Sequence, residues 1–318
     1  MMDRFGRRVT YLRVSLTNRC QLHCSYCTLP EEPSSVMRPD EVTTLIEVAS
    51  RRLGFRKVRL TGGEPTLRRD LPEVVRGLVA LPGIREVALT TNGMLLERRA
   101  EELQAAGLRT VNVSIDSLDP DRFRELTGGG DLATVLAGLR AARLAGIERR
   151  KVNCVLLGGV NEQEIDGFLE LSAREGVEVR FIEHMPMDEA RLAAWKVEPR
   201  TVLERLARGR TLVPLAANQD GGPAERFAVG EARVGFIHAM SNPFCDRCNR
   251  LRITAEGKIR SCLLSGGEVD LLGAIRSGLP TAELEERLVA LFQQAADAKP
   301  PIYDHLAGGA IKMRAIGG

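Results

Sequence analysis

From residue 9 to about residue 183 the chain repeats one unit, a short β-rich run followed by a helical segment. The runs cover residues 9–16, 56–60, 86–90, 110–115, 151–157 and 178–183. Strands that alternate with helices argue for a parallel sheet, because a parallel connection needs a crossover long enough to hold a helix. A complete eightfold barrel takes about 250 residues, whereas six units here occupy about 195. We therefore read an α/β fold built on an incomplete, open-sided (β/α)6 TIM-like barrel. A doubly wound open sheet is the competing arrangement. Helix boundaries are marked locally. Pro39, Asp40 and Glu41 suit a first turn that Gly54 ends, Asp131 suits a cap for a helix ending near Gly146, and Asn161 with Glu164 has capping-box spacing before Ile165 and Phe168.

Past residue 190 the rhythm changes. Residues 200–208 read as a helix, 219–223 as a Gly-rich loop, 226–229 and 232–238 as strands, 250–262 as a hairpin turning at 255–257, and 281–298 as an amphipathic helix. We expect two domains, 1–195 as the partial barrel and 196–318 as a smaller C-terminal α+β domain closing its open side.

Of the 318 residues, 44% are hydrophobic and 27% charged, which excludes a wholly disordered chain. A net charge of +3 is too small to argue for a nucleic-acid partner. No apolar run approaches the ~18–20 residues that span a bilayer, so no membrane partner is expected. Residues 1–8 are polar, without a secretory leader, and the expected location is the cytoplasm. Seven cysteines, an odd number, argue against a disulfide framework and for metal-binding or catalytic thiols in a reducing compartment. Only six of the 45 basic residues are Lys, which singles out each one.

Cys20, Cys24 and Cys27 have C-x3-C-x2-C spacing directly after the first strand, at the barrel edge where active sites form. Three thiolates leave one iron of a four-iron cluster open. Structural zinc with His23 as fourth ligand is the alternative. The next β–α loop carries Gly62-Gly63-Glu64-Pro65, in which two glycines permit close approach of backbone to a ligand. A second set, Cys245, Cys248 and Cys262, lies in the C-terminal region, where a zinc ribbon completed by His238 is again the alternative. Arg250 and Arg252 share one face of the strand that follows, and two cations beside a metal site suggest an anionic ligand. Cations also recur on the barrel strands, as Arg13, Lys57, Arg59, Lys151 and Arg180. Unpaired cations inside a barrel are costly, so the lumen needs counter-anions of the kind a triphosphate supplies. Cys154, in an apolar strand, reads as a small buried residue.

Cys20-x3-Cys24-Ser25-Tyr26-Cys27 together with Gly62-Gly63-Glu64-Pro65 resembles the signature of radical S-adenosylmethionine (SAM) enzymes, although Asn18 and Thr28 depart from its commonest form. The stretch from Phe244 through Cys248, Arg250 and Arg252 to Cys262 resembles the GTP 3′,8-cyclase family (the MoaA family), which begins molybdenum cofactor biosynthesis. Tyr11-Leu12-Arg13, Lys57 to Thr61, Lys151-Val152-Asn153, Arg180 to Glu183 and the terminal Ile316-Gly317-Gly318 match it as well.

The resemblance implies two 4Fe-4S clusters, the first binding SAM at its open iron and the second binding the guanine of GTP. It implies SAM contacts at Tyr26, Gly62, Gly63, Glu64, Ser114 and Met185. It implies GTP contacts at Arg13, Lys57, Arg59, Thr90, Lys151, Arg180, Arg250, Leu251 and Arg252, and a catalytic tail at Gly317 and Gly318. The implied product is (8S)-3′,8-cyclo-7,8-dihydroguanosine 5′-triphosphate. The implied partners are a flavodoxin- or ferredoxin-type reductant, a downstream cyclic pyranopterin monophosphate synthase and a second copy in a homodimer. The alternatives are another radical SAM enzyme with an auxiliary cluster acting on a different substrate, and a zinc-binding interaction protein.

Overall fold

In the computed structural model the described residues are all of 1–318 except 28–32, 34, 186–194, 196, 198, 217–221, 264–266 and 302–318. The six expected units are present. They run β1 (Tyr11–Ser15), α1 (Pro39–Leu53), β2 (Lys57–Thr61), α2 (Leu71–Val79), β3 (Glu86–Thr91), α3 (Leu96–Ala105), β4 (Thr110–Ser114), α4 (Pro120–Thr127), α5 (Leu132–Leu144), β5 (Arg149–Leu156), α6 (Ile165–Glu175) and β6 (Glu178–Glu183). Their strands pair in parallel and in sequence order. Gly54 ends α1 in the left-handed conformation, and the Asp131 side chain accepts from the Thr134 amide at the start of α5.

The remaining described strands and α-helices are α7 (Pro199–Ala207), β7 (Val213–Pro214), β8 (Glu225–Val229), β9 (Ala232–Ile237), β10 (Arg250–Ile253), β11 (Lys258–Arg260), β12 (Glu268–Asp270), α8 (Leu272–Ile275) and α9 (Thr281–Asp297). Their strands join the barrel sheet at both edges: the order is β12-β11-β10-β1-β2-β3-β4-β5-β6-β9-β8-β7, with β10 parallel to β1 and β9 parallel to β6. Side-chain alternation explains the fit. Leu251 and Ile253 stand in register with Leu12 and Val14 on the buried outer face, while Arg250 and Arg252 match Tyr11 and Arg13 on the inner one. On the other edge Phe236 of β9 stacks on Phe181 of β6 at 5.5 Å, and Phe168 of α6 meets Phe181 edge-on at 5.7 Å. Burying each such ring contributes roughly 1.5–3 kcal/mol.

Outward-facing Val58, Leu60, Val111, Val113, Val152 and Val179 pack into the core between strands and helices. Branched apolar side chains usually fill the inside of a parallel barrel as well. Here the inward positions carry charge, so a cavity takes the place of a second core. One local expectation fails. Asn161 forms no capping box with Glu164; its amide donates to Asp116 O (2.6 Å) and Val155 O (2.7 Å), and Glu164 instead accepts from the Ser117 hydroxyl and Arg122. These longer-range partners outcompete a local helix cap. Among the described residues no helix is long and apolar enough to cross a membrane.

Candidate active site

The loop after β1 carries Cys20, Cys24 and Cys27, and backbone pairing with the end of β2 fixes its path. The Gly63 amide donates to Thr17 O at 2.7 Å and the Glu64 amide to Arg19 O at 2.7 Å. A Cβ on Gly63 would stand 2.1 Å from Arg19 O, and one on Gly62 would stand 2.5 Å from Thr17 O, so only glycine fits at either position. The buried Glu64 carboxylate accepts from the Thr66 amide (2.9 Å), the Thr91 hydroxyl (2.7 Å) and the Asn92 amide (2.7 Å). It thereby ties the ends of β2 and β3 together, and burial pushes its carboxyl above the usual range.

Cys20 Sγ accepts from the Leu22 amide at 3.4 Å and from Asn92 Nδ2 at 3.7 Å. Tyr26 donates its hydroxyl to Asp116 Oδ2 at 2.6 Å, while Asp116 Oδ1 accepts from the Val155 amide at 2.8 Å. Burial raises the Asp116 carboxyl to about 6. Burial and the Asp116 charge push the Tyr26 phenol well up. His23 is exposed and does not line the cavity that the three cysteines face.

Cys245 and Cys248 sit in the short turn before β10, and Cys262 follows β11. Glu183, at the end of β6, accepts from the Met240 amide at 2.8 Å and from the Ser241 amide and hydroxyl, which steadies the approach to Cys245. Arg7 Nη1 donates to Cys245 O at 2.7 Å, and Lys299 Nζ donates to Cys248 Sγ at 3.5 Å. Burial pushes the Cys248 thiol up, but the Lys299 and Arg250 charges overcome this and leave it below its ordinary value. His238 faces Glu225 at 3.5 Å and is not part of the cavity wall. No three His, Cys, Asp or Glu side chains form a single-ion chelate among the described residues. Thiolates of a four-iron cluster bind different irons and need not converge on one point.

Both cysteine sets line one cavity of about 610 Å³. Its wall carries eleven Lys or Arg side chains against six Asp or Glu, a larger positive surplus than the +3 of the whole chain. Glu86 holds Lys57 at 2.7 Å, and Glu178 holds both Arg180 (2.6 Å) and Arg226 (2.6 Å). These acids neutralise only part of the belt. Burial and neighbouring Arg180 lower Lys151 to about 7, and burial with Arg250 lowers Arg252 to about 10. Burial would raise the Tyr11 phenol, but Arg59, Arg13, Arg250 and Lys57 bring it down to about 8. Among the described residues the buried Arg59 Nε, Arg180 Nη2, Arg250 Nε, Thr61 Oγ1 and Ser261 Oγ have no hydrogen-bond partner. Five such groups on one wall suit a polyanion that is rich in acceptor oxygens.

Arg13, Lys57, Arg59, Thr90, Lys151, Arg180, Arg250 and Arg252 all line this cavity, as do Tyr26, Gly62, Gly63, Glu64, Ser114 and Met185. Leu251 does not: alternation along β10 turns its side chain into the hydrophobic core, leaving no side-chain surface for a ligand. Gly317 and Gly318 lie outside the described residues. Sequence reasoning missed Glu86 and Glu178, whose signal was an acid directly beside a flagged lysine in strand register. It also left Lys299 without an assigned role.

The model described as the Radical SAM superfamily matches residues 14–172, and the one described as Molybdenum Cofactor Synthesis C matches residues 177–305. The chain is 41% identical to the GTP 3′,8-cyclase of Moorella thermoacetica over 99% of this chain and 98% of the relative. It is 41% identical to the GTP 3′,8-cyclase of Pelotomaculum thermopropionicum over 97% of this chain and 96% of the relative. Among solved structures it resembles Streptococcus suis SuiB bound to precursor peptide SuiA, with a TM-score of 0.61 and 17% identity over 81% of this chain. It spans 60% of that longer protein, and this likeness speaks to the fold alone. On the matched models and the near-full-length identity, the chain belongs to the radical SAM superfamily and, within it, to the GTP 3′,8-cyclase family.

Proposed function

We propose that the chain converts GTP to (8S)-3′,8-cyclo-7,8-dihydroguanosine 5′-triphosphate, the first step of molybdenum cofactor biosynthesis. One observation carries this beyond family membership: two cysteine triads and a cation-rich belt line the same cavity. Superfamily membership implies one 4Fe-4S cluster and SAM. Cys20, Cys24 and Cys27 would hold that cluster. Tyr26, Gly62, Gly63, Ser114 and Met185 would contact SAM, and Glu64 would brace the Gly-Gly turn. Cys245, Cys248 and Cys262 would hold a second cluster that receives the guanine. When bound, these groups supply the one-electron radical chemistry that lets ribose C3′ bond to guanine C8.

The chain's own work is placement, charge and shelter. Arg13, Arg59, Lys151, Arg180, Arg250 and Arg252 neutralise the triphosphate, and the unsatisfied donors on Arg59, Thr61, Arg180, Arg250 and Ser261 orient it. Lys57, held by Glu86, and Thr90, facing Arg59 Nη1 at 3.5 Å, define the edge of that belt. Enclosure by the barrel strands keeps water from a reactive intermediate. We place the SAM-cleaving half in residues 1–195 and the substrate cluster in 196–318, with Gly317 and Gly318 as a tail that enters the site. A flavodoxin- or ferredoxin-type reductant, a cyclic pyranopterin monophosphate synthase that takes the product, a homodimeric assembly and a cytoplasmic location complete the proposal.

Anaerobic incubation with SAM, a low-potential reductant and GTP tests it. Wild type should release 5′-deoxyadenosine and consume GTP together, and Cys20→Ala should do neither. SAM cleavage with GTP left intact refutes the substrate assignment, and SAM cleavage by Cys20→Ala refutes the first-site assignment.

A further inference from the structure

Lys299 is 2% exposed, although lysine is almost never fully buried without a partner. It follows α9, whose Phe292 packs on Phe55 at 5.8 Å, so its backbone is anchored on the outside of the barrel. Its ammonium has three donors, and the structure gives each an acceptor: Cys248 Sγ at 3.5 Å, Arg250 O at 2.8 Å and Ser261 O at 3.0 Å. The three acceptors lie on two pieces of chain, the entry to β10 and the residue after β11. One is a thiol of the second triad, one opens β10, and one immediately precedes Cys262. Among the described residues no carboxylate forms an ion pair with Lys299, so the nearest group able to balance its charge is the Cys248 sulfur. Cys245 has its own tie, because Arg7 Nη1 donates to Cys245 O at 2.7 Å while Arg7 Nε is held by buried Asp3 at 2.6 Å. Arg7 also reaches Pro301 O at 3.3 Å, so the segment around Lys299 is clamped to the triad from both sides. In a chain with 45 basic residues and only six lysines, a compact three-donor ammonium meets three acceptors at this site.

We propose that Lys299 is a positioning residue for the second cluster site. It holds Cys248 and the Ser261–Cys262 backbone in register and, by donating to the Cys248 sulfur, makes a bound cluster easier to reduce. This rests on the two-cluster reading above. The direction follows from charge: reduction adds negative charge to a cluster and its thiolates, and a nearby cation with an N–H···S bond favours the reduced form.

The test uses the full chain, reconstituted anaerobically, as wild type, Lys299→Met and Lys299→Arg. Iron and sulfide per chain are measured, and the second cluster is titrated by electron paramagnetic resonance in a background of Cys20→Ala, Cys24→Ala and Cys27→Ala. Wild type should carry about eight irons and the triple-Ala background about four. Lys299→Met should make reduction about tenfold less favourable, a fall of ~59 mV for a one-electron couple, and Lys299→Arg should recover most of it. Loss of about four irons in Lys299→Met, restored in Lys299→Arg, also supports the role. Unchanged iron and potential in Lys299→Met overturn it, as does equal loss of iron in both variants, which would mean that shape alone matters. Only about four irons in wild type would sink the two-cluster reading itself, and this inference with it.

Discussion

Tyr26, on the first cysteine loop, donates its hydroxyl to Asp116, just past β4, at 2.6 Å. The bond fastens the loop that bears Cys24 and Cys27 to the opposite side of the cavity. Because burial raises the Asp116 carboxyl from 3.8 to about 6, the folded chain keeps a proton that the unfolded chain releases between those values. Stability from this group is therefore present at low pH and lost as pH rises through about 6. Urea unfolding of the metal-free chain should show wild type losing about 2–3 kcal/mol more than Asp116→Asn between pH 4 and pH 7. Parallel pH responses of the two chains would contradict the assignment.

Gly63→Ala tests the contact between the cysteine loop and the end of β2. A Cβ there would lie 2.1 Å from Arg19 O, against backbone that cannot swing away as a side chain can. The loop should be displaced and the first triad spoiled, while the second triad is untouched. Iron should fall from about eight to about four per chain. Full loading would mean that the close approach does not position the cysteines.

Lys151 reports on the anion. With its ammonium lowered to about 7, much of Lys151 is neutral above that pH, and a bound triphosphate would restore the charge. GTP binding should take up protons at pH 8 and weaken as pH rises above 7. Calorimetry in buffers of different ionisation enthalpy measures the uptake. Lys151→Met should lose most of it, and equal uptake in wild type and variant would remove Lys151 from the phosphate site.

Arg252 stands between Arg13 and Arg260 in strand register. Replacing it by Ala should weaken GTP use more than basal SAM cleavage, by ~1.5–3 kcal/mol for one lost charge-assisted bond. Assayed side by side, equal loss of both activities would indicate damaged folding.

The barrel strands were legible because each combines an apolar outer face with a polar inner one, and Gly62-Gly63 because no other residue tolerates such contacts. The placement of β9 and β10 at opposite edges was not legible. Their partners, β6 and β1, are chosen by non-local register that no local pattern encodes. Asn161 carried a helix-cap signal yet spends its amide on Asp116 O and Val155 O. The charge belt was visible as lone cations, but Glu86 and Glu178 became their partners only once strand register was known. Lys299, far along the chain from Cys248, became meaningful only when the sheet brought the two together.

The most direct measurement follows one hydrogen. GTP carrying deuterium at ribose C3′ is incubated anaerobically with the reconstituted chain, SAM and reductant, and the 5′-deoxyadenosine is weighed by mass spectrometry. The account predicts one deuterium in that product and its loss from the cyclised nucleotide, with no transfer from GTP labelled at C4′. Unlabelled 5′-deoxyadenosine formed while the deuterium stays in intact GTP would contradict it.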